Sequence, residues 1–417
     1  MYTKMAHQTM HNIEQTKAQF TQLIQQCLAP LKLTLVLFSS LAIAACGGQQ
    51  VTSTVITPLE HQTIAVDESH LLDLAVLPFN PGLEDQGSQE ESTLLPAVRN
   101  AESQHLANKV AATIQQTSAW GAVRTVPSRE TIVDVYVEGT INHSDGEKLA
   151  LDISVSDTSN RHWYTKSYTE TVGQYAYDQG RQIKRDPFQG LYNRIANDLL
   201  KYRQQLSSDD ATKLRTISSL KFARDFSPEA FGDHIEETPG GQLKVIRLPA
   251  ANDPILQRIE RIRERDYLFV DTLQEHYDDF SRRMDKPYQE WRMATYEELA
   301  SVRELKRQSR NRTIGGVVAV IAGIVAAGSS DGSASSAGVV SIGAGALLIK
   351  DGLSKRAELK IHEDVLAELG QSLEAEIEPR VIELEDRTIT LTGNAEAQYA
   401  QWKTLLREIY QAERGEI

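Results

Sequence analysis

The sequence predicts an α+β protein, and three observations predict it. Between residues 70 and 206 short apolar strands alternate with amphipathic helical stretches. Two of those strands alternate apolar and polar residues on either side of Asp145-Gly146, the signature of a hairpin. From residue 253 onward helical periodicity dominates. The 417 residues allow two or three domains, and 41% hydrophobic against 24% charged residues is the balance of a globular chain. Asp and Glu outnumber Lys and Arg 57 to 44, for a charge of −13. That excess argues against a nucleic-acid partner, because phosphate binding draws on clustered cations.

Residues 33–45 (LTLVLFSSLAIAA) are uncharged, follow Lys32 and end in small residues. Thirteen residues are too few to cross ~30 Å of hydrocarbon but match a secretory apolar core. The run closes on Ile43-Ala44-Ala45-Cys46-Gly47. This resembles a bacterial lipobox, which implies cleavage of a 1–45 signal peptide and acylation of Cys46. Met5 and Met10 offer later starts for an n-region of unusual length. Cys27 leaves with the leader, so the mature chain holds no cysteine pair for a disulfide. The residue after the cysteine is Gly47, not the aspartate that in such lipoproteins signals inner-membrane retention; the implied address is the periplasmic face of the outer membrane. Residues 46–69, rich in Thr, Ser and Gln, read as a tether.

The α/β domain (70–206) opens with a strand at 71–79 ended by Asn80-Pro81-Gly82. Val98, Leu106, Val110 and Ile114 space a helix over 96–118. Strands follow at 122–126, 133–141, 149–155 and 163–168, and Leu191, Ile195, Leu199 and Tyr202 mark a second helix over 187–206. Within this stretch LAVLPFN, Trp120-Gly121, DVYVEGTI and Ser156-Asp157 with Asn160 and Trp163 resemble the periplasmic α/β domain of TolB-type amino-terminal domains and of the curli-secretion and penicillin-binding-protein-activator lipoproteins. The family places glycine in the turn before the tryptophan; Asn160, which tolerates left-handed geometry, stands there. The resemblance implies protein binding at the envelope rather than chemistry.

Residues 207–252 read as an irregular connector, with Pro228, Pro239, Gly240 and Gly241 and one short strand at 243–248. Asp253-Pro254 caps the first of two long helices (253–312) that Pro287 separates. An acidic amphipathic helix follows at 351–379, and 380–417 reads as a β-hairpin around Asp386-Arg387 plus a closing helix.

Residues 313–350 are the least ordinary. Two uncharged arms, IGGVVAVIAGIVAAG and AGVVSIGAGALLI, flank a polar SSDGSASS turn. Gly315, Ala319, Gly323 and Ala327 in the first arm, and Ala337, Ser341 and Gly345 in the second, put small residues at every fourth position. Such a stripe lets helix backbones approach closely, so a glycine-zipper hairpin is expected. Fifteen residues rise about 22 Å, short of a full span. The hairpin could enter one leaflet, line a homo-oligomer, or lie buried in the soluble fold. Basic residues at both outer ends (Arg310, Arg312, Lys350, Lys355, Arg356) put those ends on one side of a membrane.

Two motifs touch chemistry. Gly328-Ser329-Ser330-Asp331-Gly332 fits G-x-S-x-G but lacks the strand and helix that aim a nucleophile, and Ser218-Ser219-Leu220-Lys221 fits S-x-x-K with no K-T-G or S-D-N elsewhere. Among the eight histidines of the mature chain no pair falls in H-x-x-x-H or H-E-x-x-H spacing, and no phosphate-binding loop is present. No cofactor, metal or catalytic residue is therefore expected. The expectation is a non-enzymatic outer-membrane lipoprotein that contacts other envelope proteins and self-associates. A regulatory lipoprotein activating a periplasmic enzyme is the alternative, and a serine hydrolase using Ser330 or Ser218 a more distant one.

Overall fold

The computed structural model describes residues 56–83, 96–177, 185–311, 360–372, 379–383 and 388–415. The fold is α+β. Strand β1 (Leu74–Val76) leads to α1 (Pro96–Gln116), β2 (Val123–Thr125), β3 (Val135–Ser144), β4 (Lys148–Asp157), β5 (His162–Thr171) and α2 (Gln189–Gln205). The sheet order is β2-β1-β3-β4-β5; β1 runs parallel to β2 and β3, and β3-β4-β5 is an antiparallel meander. One face buries Leu74, Val76, Val137, Ile141, Leu151, Ile153, Val155 and Tyr168 beneath α1 and α2. On the other face β3, β4 and β5 align Glu138, Ser154 and Thr165, then Thr140, Asp152 and Ser167, all outside the core. That is the alternation of a sheet with one wetted face.

The Asp145-Gly146 turn forms as expected: Asp145 Oδ1 accepts from the amides of Glu147 (2.6 Å) and Lys148 (2.7 Å). Its glycine answers to packing. A Cβ on Gly146 would lie 1.9 Å from the Arg292 carbonyl oxygen, so any larger residue would push the hairpin off the helix behind it. Asn160 does adopt φ 63°, the left-handed geometry expected of it.

Two expectations are corrected. The stretch 207–252 is not irregular: it contains α3 (Ser208–Phe226), the one-turn α4 (Pro228–Phe231) and a hairpin of β6 (Ile235–Glu237) with β7 (Leu243–Val245). The start of α3 carries a reciprocal capping box, Ser207 with Asp210. Pro287 does not separate two helices either. A single helix, α5 (Pro254–Asn311), runs 58 residues, about 87 Å, with Pro287 inside it. Met284, Tyr288 and Trp291 are all buried around the proline, and packing on both sides outweighs the lost hydrogen bond.

The expected tether (46–69) is shorter than its composition suggests, because its second half is strapped to the body. Asn193 Nδ2 donates to Thr57 O (2.7 Å), Asn197 Nδ2 to Pro58 O (2.9 Å) and Glu60 N to Asn197 Oδ1 (2.8 Å), while Gln62 N reaches Thr117 O (2.8 Å).

Residues 360–372 are helical and form α6. The expected closing hairpin and helix are β8 (Arg380–Glu383) with β9 (Thr388–Leu391) and α7 (Ala395–Arg414). Trp402 of α7 stacks on Phe269 of α5 at 4.9 Å, so this end shares the core of the sheet layer.

Candidate functional site

Every residue singled out for lipidation or hairpin packing lies outside the described residues: Cys46, Gly315, Ala319, Gly323, Ala327, Ala337, Ser341 and Gly345. Ser330 lies there too. Among the described residues no helix is long and apolar enough to cross a membrane.

Of the residues quoted for the resemblance, Asp157, Asn160 and Trp163 share one turn. Asp157 closes the β4–β5 turn, its Oδ1 accepting from Ser159 N (3.0 Å) and Arg161 N (3.2 Å) and its Oδ2 from Trp163 Nε1 (2.7 Å). The Trp163 ring then stacks on Tyr202 of α2 at 4.4 Å. Aspartate, left-handed asparagine and tryptophan thus form one turn that fixes the sheet to α2.

Two polar assemblies were not foreseen. The first lines a cavity of about 130 Å³ formed by Asp73, Asp134, Arg215, Glu260, Arg263, Glu264 and Tyr267. Asp73 and Asp134 stand immediately before β1 and β3, so the cavity opens at the amino ends of the parallel strands. Open parallel sheets place ligand crevices at the opposite, carboxyl ends. Asp134 Oδ2 accepts from Asp73 N (2.9 Å), Asp73 Oδ1 from Ala122 N (2.9 Å), and Arg215 Nη1 donates to the carbonyls of Glu68 (2.8 Å) and Leu71 (2.9 Å). Burial raises the Asp134 carboxyl above the usual range, with the Arg263 charge opposing. Burial works to lower Arg263, and Tyr267, Asp134 and Glu260 around it more than offset that, so the guanidinium stays charged.

Ser218, the serine of the S-x-x-K match, bonds to Arg263 of this wall. It is fully buried on α3, and its hydroxyl accepts from Arg263 Nη2. Lys221 lies over the Tyr136 ring at 5.9 Å. A serine nucleophile needs a hydroxyl that substrate can reach, and this one is fully buried.

The second assembly is buried where α5 crosses α1 and the β3–β4 turn. Glu102 Oε1 accepts from Tyr288 Oη (2.6 Å) and Ser144 Oγ (2.5 Å). Arg292 Nη2 donates to Tyr288 Oη (2.8 Å) and its Nη1 to Asp186 Oδ1 (3.1 Å). The guanidinium lies 3.9 Å from the Tyr288 ring centre and 4.6 Å from that of Phe188. Nearby, His105 Nδ1 meets Ser281 Oγ at 3.1 Å. Burial, then the charges of Lys109 and Arg292, holds this histidine well below its ordinary value and so neutral. The assembly latches α5 to the sheet layer.

The sequence carried faint signals of the latch. Arg99 and Glu102 are three apart, Tyr288 and Arg292 four apart, each on one helix face. Their meeting, and the arrival of Asp186 and Ser144, depends on tertiary structure. Among the described residues no group of three or more His, Cys, Asp or Glu is placed to hold a metal ion. Compared with protein-family models, with curated proteins and with solved structures, the chain matches none.

Proposed function

We propose that this chain is a lipid-anchored, non-enzymatic protein of the outer membrane, facing the periplasm, that acts in envelope assembly, secretion or scaffolding through protein contacts. The observation that carries the reading is the apolar run at 33–45 closing on Cys46. The strap supports it with a length. From Cys46 to Thr57, the first residue bonded to the body, eleven residue steps reach about 40 Å at most when fully extended. An acylated Cys46 therefore keeps the α/β body close to its own leaflet. That leash is short for activating an enzyme across the periplasm, so contact with neighbours in the same membrane is the better-supported role.

Contact rather than catalysis is favoured by the polar interior. Glu102, Arg292, Asp186 and Ser218 are bonded to one another or to fixed partners in ways that lock helices together. The test is Cys46→Ser with cell fractionation. The wild type should sediment with outer membranes and incorporate palmitate, and the variant should stay uncleaved or be released. Equal palmitate incorporation by the variant would overturn the reading.

A further inference from the structure

The two edges of the sheet are treated differently. At β2, Thr125 N donates to Gln274 Oε1 at 2.5 Å and Arg124 Nε lies 2.5 Å from Asp271 Oδ1, so α5 closes that edge. At β5, Val172 N donates to Glu147 O at 2.8 Å. Antiparallel alternation then turns the backbone groups of residues 164, 166, 168 and 170 toward β4, and those of Thr165, Ser167, Thr169 and Thr171 outward. The bond from Arg194 Nη2 to Thr169 O (2.7 Å) agrees with that alternation. Among the described residues no other partner reaches these outward groups, and all four side chains are exposed. A ten-residue edge without proline is a template for another strand.

We propose that β5 pairs antiparallel with β5 of a second copy about a two-fold axis at Tyr168, joining the two sheets into one. Charge selects the register. With the axis at Tyr168, Lys166 of each copy faces Glu170 of the other, while Thr165 meets Thr171 and Ser167 meets Thr169. Moving the axis to residue 166 sets Lys166 against Lys166, and moving it to residue 170 sets Glu170 against Glu170, both like-charge pairs. Within one copy Lys166 Nζ lies 2.5 Å from Asp198 Oδ2 and Arg194 Nη1 lies 3.5 Å from Glu170 Oε2, so the joined strands form a charge network of alternating sign. Pairing requires Arg194 to release Thr169 O, and it keeps Glu170 when it does. The contact does not depend on the lipid anchor, so it can stand or fall separately from the proposed function.

The experiment is sedimentation of the full chain in detergent, from one to one hundred micromolar, with Lys166→Glu, Glu170→Lys and the double variant. The wild type should dimerise. Each single change should weaken the dimer on the order of tenfold, since two cross-strand pairs change sign, and the double change should restore it. A Ser167→Cys/Thr169→Cys variant, which leaves the charges alone, should oxidise to a covalent dimer, because hydrogen-bonded antiparallel pairs lie within disulfide reach. A wild type that stays monomeric overturns the proposal. So does a dimer indifferent to the single charge reversals, which places the contact elsewhere, or a double variant no tighter than the singles, which rejects the register.

Discussion

Removing one partner of the Arg292–Asp186 pair should be among the most damaging single changes available in the described body. Arg292 is fully buried, and among the described residues its Nη1 has Asp186 as the only carboxylate within bonding distance. Asp186→Asn keeps an Oδ1 that can accept from Phe188 N (2.8 Å) and Arg292 Nη1 (3.1 Å) but removes the negative charge opposite a guanidinium that stays charged in the core. An uncompensated buried charge costs about 3–5 kcal/mol. Arg292→Met keeps an apolar stem between Phe188 and Tyr288 and leaves Asp186, 8% exposed at its side chain, bonded to Phe188 N and Gln289 Nε2 (3.1 Å). That change should cost less, about 2–3 kcal/mol. The double variant should be more stable than the sum of the singles implies, with a coupling of about 1.5–3 kcal/mol. Urea unfolding followed by the emission of Trp291, the neighbour of Arg292, gives all three values. Single changes below ~1 kcal/mol, or losses that simply add, would refute the reading that this pair is buried and coupled.

Other outcomes follow from the same geometry. His105 is held neutral in the fold against an ordinary value near 6.5, so below about pH 6.5 the unfolded chain binds more protons and stability falls, while above it that contribution is fully present. His105→Gln should flatten this loss between pH 7.5 and 5, and an unchanged slope would contradict it. Asn197→Ala removes two bonds to the strap and should raise hydrogen exchange at Glu60 on the order of tenfold, the body otherwise keeping its protection. Fluorophosphonate or penicillin probes should not label Ser218; labelling that Ser218→Ala abolishes would reverse the non-enzyme reading. Gly323→Leu should cost about 1–3 kcal/mol of close packing. Loss of oligomer or membrane retention would support a hairpin facing lipid or a partner, and a lower melting temperature in an unchanged monomer would support a buried one.

The elements that could be read from the sequence are those whose pattern is local. The β3–β4 hairpin announced itself because Asp145-Gly146 sits between strands of period two, and α2 and α7 because their apolar residues keep one stripe. Pro287 misled because a local rule met a helix buried on both sides of it. The helix α3 was masked by its wide buried face, where Ala211, Leu214, Ile217, Ser218, Leu220, Phe222, Ala223 and Phe226 blur any single stripe, although its capping box was present at Ser207 and Asp210. The strap was hidden for the opposite reason: Thr57, Pro58 and Glu60 bond through their backbone to asparagines more than 130 positions away. The latch draws Glu102, Ser144, Asp186 and Arg292 from four separate segments, and no spacing rule joins them.

The central claim is that Cys46 ties this body to a membrane by a leash of about 40 Å or less. Mass spectrometry of the amino-terminal peptide, taken from protein purified out of cell membranes, tests it most directly. The account predicts a peptide that begins at Cys46 and carries a diacylglyceryl thioether with an acylated amine. A peptide that continues upstream of Cys46, or one with a free thiol there, would contradict it.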